Sequence, residues 1–214
     1  MNKRIKQIAF FALIGILVCS CNDISKGAQG WMADVNEGDN LEGTYHFLEN
    51  DGIKVFLPKV FERYSAVDYE KVLDSIVSKE NIEVEKKRLK ELRDMDGNFY
   101  IYFEPESFSS LTVNTLEYMP LRKEDAQQLL GIMRQSYEEL IKDTKLSYKK
   151  VTASYSEAAS VQVFKAIFKV KNPSEKKESY QTNYFVSSND KTFFIKLITG
   201  NEVNFDPYLK KIIL

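Results

Sequence analysis

The chain has 214 residues, 43% hydrophobic and 13% aromatic, with 30 basic and 31 acidic residues for a net charge of −1. That is enough apolar material for one substantial core, so one domain is the natural count. A near-neutral balance leaves no electrostatic footprint for nucleic acid, and with one histidine and, once the export signal read below is processed, no unmodified cysteine, a zinc site of the His/Cys kind is not expected.

The first element in chain order is an export signal. Lys3, Arg4 and Lys6 precede the apolar run Ile8–Val18, and small Ser20 stands before Cys21. This is the charge, apolar-core, small-residue order of a secretory signal. The run is about half of the roughly 20 residues that cross a bilayer as a helix, so a permanent span is not expected. Val18-Cys19-Ser20-Cys21 resembles the lipobox of bacterial lipoproteins. Cys21 suits the lipidated position better than Cys19, because Ser20 precedes the one and branched Val18 the other. The resemblance implies cleavage between Ser20 and Cys21, a diacylglycerol on the Cys21 sulfur and, often, an acylated new amino group. One acyl chain holds reversibly, whereas two or three hold stably. It further implies a lipid anchor in the bacterial cell envelope, on the outer membrane facing the periplasm in a Gram-negative cell. The alternative is an ordinary secretory peptide with incidental cysteines.

Loss of Met1–Ser20 removes three basic residues and no acidic ones, which leaves a mature charge of −4. With Cys19 gone and Cys21 lipidated, the body has no free thiol and forms no disulfide. Residues 21–40 are polar and glycine-bearing around Trp31-Met32, and read as a lipidated tether reaching about 25 Å by the coil estimate. Trp31 either sits at the membrane interface, as indoles do, or packs loosely on the domain.

Residues 41–214 read as a single folded domain. Thr44–Glu49 and Ile53–Leu57 flank Asn50-Asp51-Gly52, a hairpin signal. A helical pattern spans Val67–Arg93, with Ser65 as N-cap, a kink at Asn81, and Tyr69, Val72, Leu73, Ile76 and Val77 at helical spacing. Its basic run Lys86-Lys87-Arg88 with Lys90 is interleaved with Glu80, Glu83, Glu85 and Glu91, and reads as a solvated face rather than a binding patch. Strands follow at Asn98–Glu104 and Leu111–Tyr118. The first alternates Phe99, Ile101 and Phe103 with Tyr100 and Tyr102, so it is either buried on both faces or shows tyrosines to solvent. Lys123–Lys142 carries one apolar stripe from Ala126 to Ile141 and is the second long helix. Lys145–Ser154, Val161–Val170, Tyr180–Ser187 and Thr192–Thr199 form an antiparallel meander, with turns at Asn172-Pro173-Ser174 and Ser188-Asn189-Asp190. A short helix at Asp206–Ile212 closes the chain.

This order gives an α+β class: an antiparallel β-sheet of about six to eight strands packed with two long helices and a short C-terminal helix. Gly52-Ile53-Lys54-Val55-Phe56-Leu57-Pro58 is similar to the early strand, ending in proline, of the PsbP-like fold. Phe193–Thr199 followed by Phe205–Ile212 also resembles that family, although Phe61 stands where the family often has a tryptophan. The resemblance implies a non-catalytic binding or assembly-support module, and transfers no site residue.

The sequence offers no catalytic, metal or cofactor residue. His46 alternates with Tyr45 and Phe47 and reads as a surface or half-buried strand residue rather than a general base. Asp94-Met95-Asp96-Gly97-Asn98 has a faint calcium-loop look, but Pro105 stands where the closing glutamate belongs, so a helix-ending turn is expected. Three functions remain in order. The first is a tethered module binding an envelope protein partner through an exposed aromatic patch, with Tyr100, Tyr102, Tyr118 and Tyr184 as candidates. The second is a carrier lodging a small apolar or amphipathic ligand between sheet and helix. The third is a hydrolase or lyase built on carboxylates and tyrosines.

Overall fold

In the computed structural model, residues 41–76, 79–94, 97–158, 160–173 and 177–214 are described. The expectations for the signal, Cys21 and the tether lie outside them. The strands are β1 (Thr44–Leu48), β2 (Ile53–Leu57), β3 (Glu62–Tyr64), β4 (Phe99–Glu104), β5 (Ser109–Leu116), β6 (Ser147–Ala158), β7 (Val161–Asn172), β8 (Lys177–Ser188) and β9 (Lys191–Thr199). The helices are α1 (Ala66–Ile76), α2 (Lys79–Arg93), α3 (Asp125–Ile141) and α4 (Asp206–Leu209). Seven strands form one antiparallel sheet in the order β3-β4-β5-β9-β8-β7-β6, and β1-β2 is a separate hairpin.

One expectation is corrected. The pattern over Val67–Arg93 is two helices rather than one kinked at Asn81, which lies inside α2. The early hairpin does not extend the main sheet but covers it, and β3, a three-residue edge strand too short to carry a periodic signal, does join it. The Ser65 cap stands: its hydroxyl accepts the Asp68 backbone N–H at 3.1 Å, closing the first turn of α1.

Each face of the sheet meets a different layer. Strand register puts Tyr100 and Tyr102 of β4, Leu111 and Val113 of β5, Phe193, Ile195 and Leu197 of β9 and Tyr184 and Val186 of β8 on one side. The hairpin residues Leu48, Ile53, Val55 and Leu57 and the C-terminal Val203, Phe205 and Tyr208 pack against that side as one buried cluster. On the other side Ile101 and Phe103 meet Tyr69, Leu73 and Leu89 from α1 and α2, while Phe164, Ala166, Phe168 and Phe185 meet Tyr137 from α3. β4 is thus buried on both faces, which is why it carries aromatics on both.

The hairpin is held by polar ties as well as packing. The Asp51 carboxylate accepts the Tyr100 hydroxyl at 2.5 Å and the Asn98 side-chain amide at 3.0 Å, and its carbonyl accepts Lys191 Nζ at 2.6 Å. The chain end closes the layer, with Lys54 and Ile213 exchanging backbone hydrogen bonds at 2.8 and 2.9 Å. Gly97 is obligatory after α2: its φ is +106°, and a Cβ there would sit 1.7 Å from the Thr115 carbonyl oxygen. The β8–β9 turn has Asn189 and Asp190 at φ +50° and +59°, the double left-handed geometry of a tight hairpin turn.

Candidate ligand cleft

The helix-facing side of the sheet is not uniformly apolar. Thr112 of β5, Lys196 of β9 and Asn183 of β8 stand opposite one another across three central strands, and all three are buried. This polar row separates the two apolar clusters under the helices. Above it lie Glu85 and Arg88 on α2 and Tyr137 on α3.

α2 and α3 do not close over the row. A partly open cleft of about 460 Å³ lies on one side of it, with Tyr69, Leu73, Val84, Leu146 and Ile198 among its walls and Phe108 at its rim. A second of about 310 Å³ lies on the other side, against Leu116, Leu129, Ile132, Met133 and Phe194. Arg88, Tyr137, Leu140 and Lys196 line both, so the clefts meet at the charged centre. Phe108 is 58% exposed and held at φ +55°, a conformation uncommon for a residue with a side chain. Lys87 straps the helices together at the surface, its Nζ donating to the Glu139 carbonyl at 3.3 Å.

The charged centre is well organised. Arg88 Nε donates to Glu85 Oε2 at 2.7 Å and Nη2 to Glu85 Oε1, a two-pronged pair with both side chains largely buried. The Tyr69 hydroxyl donates to Glu85 Oε1 at 3.3 Å. Burial opposes ionisation of Glu85, yet the Arg88 guanidinium beside it, with help from Lys196 and Tyr69, holds its carboxyl below the usual range. Lys196 Nζ lies over the Tyr137 ring, 4.9 Å from its centre. Burial, and then the nearby Arg88 charge, push the Lys196 ammonium down to about 7. Tyr137 donates its hydroxyl to Gln181 Oε1 at 2.7 Å, and burial raises its pKa. Arg88 Nη1, Thr112 Oγ1 and Asn114 Oδ1 are buried with no hydrogen-bond partner among the described residues.

These residues correct the reading of the basic run on α2. Lys86 and Lys87 do face solvent and pair with Asp74 and Glu139, but Arg88 is 5% exposed and points into the centre. Lys196 was not singled out in the sequence. The signal was there: Phe194, Lys196 and Ile198 share one face of a strand whose other face is apolar at its centre, with Phe193, Ile195 and Leu197, and Glu85, Arg88 and Leu92 fall on the stripe that Leu89 buries.

The expected tyrosine patch does not form. Tyr100, Tyr102 and Tyr184 are at most 3% exposed, leaving Tyr118 alone at the surface. The sheet has layers on both faces, so an alternating strand there has no solvent side. His46 is half-buried, with its ring 4.9 Å from that of Tyr102 on the hairpin side of the sheet, away from the clefts. Burial, then Arg63, lower its pKa. The Asp94–Asn98 turn lies in part outside the described residues.

No family model and no curated protein matches the chain. Among solved structures, it is similar to the solution structure of cyanobacterial PsbP (CyanoP) from Synechocystis sp. PCC 6803. That match has a TM-score of 0.54 and 8% identity, covering 82% of this chain and 94% of that one. The fold is PsbP-like. Phe61 is 2% exposed in the hairpin-side core.

Proposed function

We propose that the protein is a lipid-anchored, non-catalytic binding module of the bacterial envelope, and that it carries a small apolar or amphipathic ligand between helices and sheet. The observation that supports the carrier reading is the pair of joined clefts, about 460 and 310 Å³, each in the size range of small-molecule sites. The anchor rests on Val18-Cys19-Ser20-Cys21 and the basic and apolar segments before it. The carrier reading moves ahead of the partner-patch reading because three of the four tyrosines assigned to the patch are buried. A partner surface elsewhere keeps one supporting feature: Tyr45 and Phe47, each 47% exposed, point outward from β1, whose far edge pairs with no described strand.

Two measurements test this function. Native mass spectrometry of the full chain released from its own membranes is expected to show a retained small molecule, and a bare chain that takes up no added amphiphile refutes the carrier. Cys21→Ala is expected to leave an uncleaved, unlipidated precursor of higher mass. Retention in the membrane fraction with size unchanged from the parent refutes the lipobox.

A further inference from the structure

The carrier reading says where a ligand lies, and the charges at the junction of the clefts say what it carries. Resting on that reading, we propose that Arg88 and Lys196 form an anion seat, and that the ligand is an amphipathic molecule with a single carboxylate head, its apolar tail lying along α3.

The seat follows from three observations. First, a lysine occupies the middle of a sheet face where its same-face neighbours along its own strand, Phe194 and Ile198, are apolar. Burying a cation there costs stability that an aliphatic side chain would not, and among the described residues Nζ makes no ion pair. Its neighbour is the Tyr137 ring, which steadies a cation through its face but offers it no acceptor oxygen. Second, Glu85 satisfies only two of the three Arg88 nitrogens. Nη1 is buried without a hydrogen-bond partner among the described residues, on a side chain 6% exposed that lines both clefts. Third, the charges do not balance. With Lys196 protonated, the form that an approaching anion favours, Arg88 and Lys196 face one buried carboxylate, Glu85, while Glu91 is exposed at the rim of the smaller cleft. One added negative charge closes the count.

That count selects the head. A carboxylate brings one charge and two acceptor oxygens, one for Nη1 and one for Nζ. A phosphate monoester brings about −1.5 to −2 at neutral pH and would leave an excess negative charge buried. The tail follows from the walls: beyond the junction the smaller cleft runs between Leu129, Ile132 and Met133 of α3 and Phe185 and Phe194 of the sheet.

The test uses the full lipidated chain in nanodiscs of zwitterionic lipid, with lysine labelled at Cε for NMR and the Lys196 signal assigned by its loss in Lys196→Met. Octanoate, octanol, octyl phosphate and acetate are titrated in turn. Octanoate is expected to bind tightest and to move the Lys196 signal saturably. Its advantage over octanol is expected to be about tenfold to a hundredfold, as for one charge-assisted hydrogen bond. In Lys196→Met, followed through the Leu129 and Met133 methyl signals, that advantage is expected to vanish while octanol binding stays. Lys196→Arg is expected to keep most of it. Octanol binding as tightly as octanoate overturns the seat and leaves the apolar carrier standing. Tighter octyl phosphate overturns the carboxylate head. Acetate binding as tightly as octanoate overturns the amphipathic ligand, and no binding by any of the four overturns both the seat and the carrier.

Discussion

Replacing Lys196 by methionine gives a pH-dependent stability difference whose sign and size follow from the structure. The side chain is 6% exposed, and its ammonium is pushed down to about 7 by burial and by the Arg88 charge. In the unfolded chain an ordinary lysine titrates near 10.4. Between these values the unfolded state holds a proton that the folded state lacks, so stability rises with pH by at most about 1.4 kcal/mol per unit. Across the window the gain is on the order of 4 kcal/mol. Below pH 7 both states are protonated and the slope disappears. Methionine has a similar length and no proton, so the Lys196→Met curve lacks this component, while other groups titrating in the window cancel to first order. The charged and titratable groups around the site are Glu85, Arg88 and Glu91 of α2, Tyr69 of α1 and Tyr137 of α3. Glu85 is held low and both tyrosines are held high, outside the window. Urea unfolding at intervals from pH 6.5 to about 10.5 measures the difference. The methionine variant is expected to be the more stable protein near pH 7, with its advantage shrinking toward pH 10.5 by several kcal/mol. Parallel curves for the two proteins refute the reasoning, because Lys196 would then titrate alike folded and unfolded.

Other substitutions test the layers that frame the clefts. Gly97→Ala forces a side chain onto the Thr115 carbonyl at φ +106° and is expected to lower unfolding free energy by about 3 kcal/mol or more; a loss below 1 kcal/mol in urea would mean the turn relaxes freely. Asp51→Ala removes the acceptor of the buried Tyr100 hydroxyl and of Asn98, and about 2 kcal/mol is expected, with faster amide exchange in β1 and β2. Tyr184→Phe breaks the 2.7 Å bond to Asp206 Oδ1, which also receives Lys165 Nζ at 2.7 Å. A loss of about 1–2 kcal/mol is expected, with exchange increased first at α4; unchanged exchange there would place the anchoring of α4 in packing alone.

Local pattern made most of the fold legible. Gly52 and the Asn189-Asp190 pair carry the positive φ values their turns need, the α3 stripe recurs at helical spacing, and the strands of the meander lie where alternation placed them. The breaks in this agreement have physical reasons. One apolar stripe runs through α1 and α2 because both pack on the same sheet, so periodicity joins them. β3 is three residues long and earns its place through pairing with β4. The tyrosines of β4 and β8 were assigned to a surface because a two-faced aromatic strand reads alike whether its second face meets water or another layer.

The sequence by itself determined the α+β class and the order of its elements. Those are properties of contiguous residues, where spacing, charge and chemical type suffice. Only the tertiary structure decided what the hairpin covers and where the charges go. Glu85 and Arg88 lie more than a hundred residues before Lys196, and although helical spacing sets them on the stripe of Leu89, nothing local brings that stripe to Lys196. Packing α2 and α3 apart over β9 turned three scattered ionisable residues into one buried centre between two clefts, because the order of strands in the sheet, rather than their order in the chain, sets which side chains share a dry interior.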